Sequence, residues 1–78
     1  MDDLERLARL EGELWARRIR DQLLRWDGPL QMDWPGRPDE AHMLAATLAG
    51  GVRTRAKLAK VIQEQAEVVW RDLNELAS

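Results

Sequence analysis

His42 is the sole histidine of the chain, Ser78 the sole serine, and there is no cysteine. Nucleophilic catalysis needs a thiol or hydroxyl held beside a base, and a terminal serine is poorly placed for that. Metal binding would need several carboxylates converging on His42. Asp39 and Glu40 are its acidic neighbours in sequence, a commonplace arrangement on a helix. Gly50-Gly51 lacks the spacing and the preceding strand of a phosphate-binding loop. The residues therefore predict no enzyme, no catalytic residue, no metal site, no cofactor and no small-molecule substrate.

Charge placement carries more information than any single reactive group. Arg53, Arg55, Lys57 and Lys60 form a basic run with no acid between Glu40 and Glu64. At the start of a helix such charges oppose the dipole, at about 0.3–1 kcal/mol each. Arg17, Arg18, Arg20 and Arg25 form a second basic group. Asp2, Asp3, Glu5, Glu11 and Glu13 stand at the other end of that first segment, and Glu64, Glu67, Asp72 and Glu75 at the far end of the last. If the two segments form an antiparallel hairpin, the bundle is electrically polarised. Its basic end suits a solvated surface, an acidic protein or nucleic-acid phosphates.

The segments that must position these charges are read from periodicity. Residues 54–77 contain neither Gly nor Pro. At about 100° per residue, Leu58, Ala59, Ile62, Ala66, Val69, Trp70, Leu73, Leu76 and Ala77 share one arc. Lys60, Gln63, Glu64, Glu67, Arg71, Asn74 and Glu75 lie opposite, while Val61 and Val68 widen the apolar flank. That is an amphipathic helix, with Thr54 expected to cap it. Residues 2–26 give a second long helix, capped by Asp2 or Asp3. Its main stripe is Leu4, Ala8, Gly12, Trp15, Ala16, Ile19, Leu23 and Trp26. Ala8, Gly12 and Ala16 recur every fourth residue, a row of small side chains that admits a close neighbour. Gly12 costs about 1 kcal/mol of helix stability relative to Ala, so packing is its expected purpose.

Leu7, Leu10 and Leu14 form a second stripe on a different side of the same helix. It needs a cover: the short middle helix, a second copy of the chain, or a partner protein. Residues 27–38 hold all three prolines and two glycines. Leu30, Met32 and Trp34 alternate there with Gln31 and Asp33, which predicts an extended connection with one apolar side. Trp34 is either laid over the open end of the bundle or exposed as a binding anchor. Trp15, Trp26 and Trp70 fall on apolar arcs and are expected in the core. Residues 39–49 read as a short helix capped by Asp39 and terminated by Gly50 and Gly51, with Met43, Leu44, Thr47 and Leu48 inward.

The stretch from Leu48 through Leu76, LAGGVRTRAKLAKVIQEQAEVVWRDLNEL, resembles the bacterial helix-turn-helix and winged-helix regulators. The likeness covers about residues 43–76. Leu58-Ala59, Ile62, Val69 and Leu73 stand at that motif's core spacing, and Arg71-Asp72-Leu73 looks like the end of its recognition helix. The resemblance implies DNA-facing Gln65, Glu67, Trp70 and Arg71, with Arg53, Arg55 and Lys57 on phosphates. The chain departs from the motif at Gln63-Glu64-Gln65, good helix formers where a turn would stand. The apolar arc passes through them unshifted, which predicts one continuous helix.

At 78 residues the chain is near the size at which a single core rarely suffices alone. It has no disulfide or thiolate metal site to help, so self-association or a partner is the expected remedy. A hydrophobic fraction of 45% is that of a globular chain, and a net charge of −2 speaks against indiscriminate nucleic-acid binding. No run approaches the roughly 18 apolar residues of a membrane span, and the acidic start differs from a signal peptide. A soluble cytoplasmic protein without membrane contact is expected. Ten arginines against two lysines suggest a GC-rich bacterial or phage genome.

The sequence thus predicts a single all-α domain over residues 1–78: long antiparallel helices at about 2–26 and 54–77, a short helix at about 39–49 and an extended Pro/Gly-rich connection, forming a small helical bundle. The expected function is protein–protein binding by a small regulator, inhibitor or adaptor that occupies a partner's surface, itself encoded by a phage or mobile element. Its contacts would be Leu7, Leu10, Leu14, Trp34, Arg17, Arg18, Arg53, Arg55 and Lys57, on a protein partner or a second copy. The alternative is a helix-turn-helix-like DNA-binding regulator.

Overall fold

Small side chains on one face of the first helix set the separation of the two long ones. In a computed structural model, which describes residues 2–25 and 33–77, the chain forms α1 (Asp2–Arg25), α2 (Pro38–Ala46) and α3 (Val52–Ala77). Ala8 and Ala16 are fully buried, and Gly12 lies between them against α3. A Cβ built on Gly12 would stand 2.6 Å from the Ile62 carbonyl oxygen and 3.2 Å from the Ala66 amide nitrogen. The backbones of α1 and α3 are therefore nearly in contact. Trp15, Leu58, Ala59, Ile62 and Ala66 complete this core, with Leu4, Ile19, Val61 and Val69 at its margin.

The short helix fixes the topology. Trp15 lies beside Glu40, and Gln22 shares a groove with Thr47, so α1 and α2 run in the same direction. Pro38, Ala41 and His42 share a second groove with Ala59, Lys60, Gln63 and Glu64 of α3, so α2 packs against both long helices. The long helices are antiparallel, in a body of 40 × 20 × 16 Å. Ala41 and Ala45 are buried, again small residues that permit close approach.

α3 is one uninterrupted helix of 26 residues. The turn that a helix-turn-helix would place at Gln63-Glu64-Gln65 does not occur, because nothing in that stretch breaks a helix and the apolar arc stays buried through it. Four sequence expectations shift. α3 starts at Val52, two residues before Thr54, with the Arg55 N–H donating to the Gly51 carbonyl at 2.8 Å; glycine is tolerated at such a cap. α2 starts at Pro38, whose fixed φ suits the first helical position, so Asp39 lies inside the first turn and does not cap. It ends at Ala46, before the glycines, where the Thr47 hydroxyl donates to the Leu44 carbonyl at 2.6 Å. Finally Met43 and Thr47 point outward, with Met43 71% exposed; Leu44 and Leu48 are partly buried.

Trp26, Leu30, Gln31, Met32 and Ser78 lie outside the described residues, as do the side chains of Asp2, Leu76 and Ala77. Among the described residues no helix is long and apolar enough to cross a membrane.

Candidate interaction surfaces

Leu7, Leu10 and Leu14 project from α1 on the side turned away from Ala8, Gly12 and Ala16. They are 46%, 49% and 43% exposed. The core faces α3 from one side of α1, while α2 lies beside Trp15, Ile19 and Gln22; neither reaches the leucines. The sequence left open whether the middle helix covers this stripe. It does not, because nine residues of α2 lie alongside only the second half of α1.

Trp34 is not an exposed anchor. Its ring is half-buried and meets Trp15 edge-on, with centroids 4.8 Å apart and planes at 87°. It meets Trp70 at 5.5 Å and 64°. Such edge-to-face contacts add about 0.5–1.5 kcal/mol beyond burial. Gly36 is tucked against the same rings, since a Cβ there would collide with Trp34 and stand 2.7 Å from Trp15. The Trp15 indole N–H donates to Glu40 Oε2 at 3.0 Å. The indole N–H groups of Trp34 and Trp70 are buried without an acceptor among the described residues. Both rings line a small polar recess with Asp33, Glu67 and Arg71. The Trp cluster escaped sequence reasoning because it joins three segments distant in the chain; the alternation around Trp34 was its only signal.

The antiparallel hairpin brings Arg17, Arg18, Arg20 and Arg25 to the same end as Arg53, Arg55, Lys57 and Lys60. They do not share one groove there. Arg17, Arg18, Arg53 and Lys57 are exposed; Arg18 lines a groove between α1 and α2, and Lys60 a separate groove between α2 and α3, so the short helix stands between the two groups. Arg17 pairs with Glu13 at 3.3 Å within α1, and Arg9 pairs with Glu5 at 3.0 Å. Arg53, Arg55, Lys57 and Lys60 form no ion pair among the described residues.

The residues carried over from the helix-turn-helix likeness are dispersed. Trp70 is 1% exposed and cannot face DNA. Gln65 is half-buried, its Cβ 3.1 Å from where a Gly12 side chain would begin. Glu67 and Arg71 are exposed, and Glu67 accepts from the Gln63 amide at 3.2 Å. His42 is exposed on α2, and no three acidic or histidine side chains converge on a metal position among the described residues. Comparison with protein-family models, curated proteins and solved structures gives no match to this chain.

Proposed function

We propose that this chain is a non-enzymatic protein-binding domain, a small regulator, inhibitor or adaptor of bacterial or phage origin that works by occupying a surface. The observation that carries this is the uncovered leucine stripe. α1 already buries one complete apolar face against α3, so the fold has no need of Leu7, Leu10 and Leu14. Each gains about 1.5–3 kcal/mol from full burial relative to full exposure. At about half exposure, three of them offer several kcal/mol to whatever covers them. A rigid helix presents them without a further ordering cost, which favours affinity. Arg17 and Arg18, on the turn after Leu14, add charge at one end of the stripe.

Leu10→Glu is the test. Its side chain is outside the core, so circular dichroism should retain the wild-type helical signal. Association should fall by at least tenfold, read both by sedimentation of the purified protein and by capture of proteins from a bacterial extract. Wild-type behaviour of the variant in both assays would remove the stripe from consideration.

A further inference from the structure

We propose that the leucine stripe is covered by a second copy of the chain, with the two α1 helices antiparallel about a two-fold axis at Leu10. This rests on the protein-binding reading above and names its partner. The argument is the order of side chains along the exposed face. Asp3, Leu7, Leu10, Leu14 and Arg17 follow at spacings of four, three, four and three, the seam of a helix that pairs along its length. All but the leucines are charged, and the charges are opposite at the two ends. A parallel pair would set Asp3 on Asp3 and Arg17 on Arg17. An antiparallel pair sets Asp3 on Arg17 of the second copy at both ends, with Leu7 on Leu14 and Leu10 on Leu10 between them.

The flanks agree. Arg6 and Glu13 lie along one margin of the seam, and the same symmetry brings Arg6 to Glu13 of the second copy. Arg17 already leans on Glu13 of its own chain at 3.3 Å, so it bridges that carboxylate and Asp3 across the interface. α1 has 24 residues, about 36 Å of helix. The seam from Asp3 to Arg17 covers about 21 Å of it, roughly half of the 40 Å length of the molecule. An interface closed by a two-fold uses one self-complementary patch and leaves no second leucine face open. One contact opposes the pairing: Glu11, on the other margin, meets its own copy beside the axis.

The chain has no cysteine, which makes the geometry directly testable. Purified wild-type protein should sediment at twice 9.0 kDa, and Leu10→Glu as a helical monomer. Asp3→Cys and Arg17→Cys proteins, mixed and oxidised, should cross-link to each other and not each to itself. Glu11→Gln should tighten the dimer several-fold. Self-linking of each cysteine variant would mean a parallel pair and overturn the proposal. So would a dimer that survives Leu10→Glu, or one that Glu11→Gln leaves unchanged or weakens. A wild-type monomer that still captures another protein in a Leu10-dependent way would overturn the dimer and leave the protein-binding reading standing. A monomer with no Leu10-dependent capture would end both.

Discussion

A Cβ on Gly12 would stand 2.6 Å from the Ile62 carbonyl oxygen and 3.1 Å from the Gln65 Cβ. The nearer atom is backbone and cannot rotate aside, so α1 and α3 would have to separate. Helix propensity alone would make Gly12→Ala stabilising by about 1 kcal/mol. Overpacking costs about 1–3 kcal/mol, and with a backbone atom in the way it should prevail. Gly12→Ala is therefore expected to lower the urea midpoint, with a net loss of up to about 2 kcal/mol. A rise in the midpoint would mean that the helices accommodate a methyl group without cost. The sequence disclosed this much at single-residue scale, because Ala8, Gly12 and Ala16 fall in one row at helical spacing. It did not disclose the Trp15–Glu40 hydrogen bond, which no periodicity encodes.

Between helices, the load falls on Trp34. It stands four residues before α2, and its ring lies between Trp15 of α1 and Trp70 of α3. The connection is thereby fastened to both long helices. Trp34→Ala should cost about 2–3 kcal/mol of unfolding free energy, somewhat less than the 3–5 kcal/mol typical of a fully buried Trp. The near-ultraviolet dichroism of the tryptophan cluster should collapse with it. Unchanged stability with a loss of partner affinity alone would return Trp34 to the role of an exposed anchor. The existence and phase of α1 and α3 could be read directly from their apolar arcs, since each buries a long, regular stripe. α2 could be located but not oriented. Its nine residues carry little amphipathic pattern, and its rotation follows from docking Ala41 and Ala45 closely while Met43 turns outward. Its ends were misjudged because Pro38 and Thr47 provide local start and stop chemistry that precedes the acidic and glycine signals. The leucine stripe could be seen in the sequence as a surplus face; that α2 leaves it bare depends on where the short helix lies.

The whole molecule is a dipole made by topology. Antiparallel packing gathers the basic turns of α1 and α3 at one end and most of the carboxylates at the other, in a chain of net charge −2. A basic end of this kind invites a nucleic-acid reading, and Arg53, Arg55 and Lys57 are the cations that reading would use. Geometry weakens it in two ways. The two basic groups are separated by α2, with Arg18 in the groove on its α1 side and Lys60 in the groove on its α3 side, so they do not form one continuous basic patch. The helix that would enter a groove is continuous and buries Trp70, leaving Arg71 as the only cation among the DNA-facing positions that the motif implies. Phosphate contacts release counterions, and affinity built on them falls steeply between about 50 and 200 mM salt. Fluorescence anisotropy of labelled random-sequence duplex DNA should therefore stay flat on titration at either salt. Binding at about 50 mM that collapses at about 200 mM, and that disappears in a variant with Arg53, Arg55 and Lys57 changed to Gln, would instead make the basic end a phosphate-binding surface. The leucine face would then join two such surfaces in one assembly while holding them apart, because an antiparallel α1 dimer carries its two basic ends at opposite extremes.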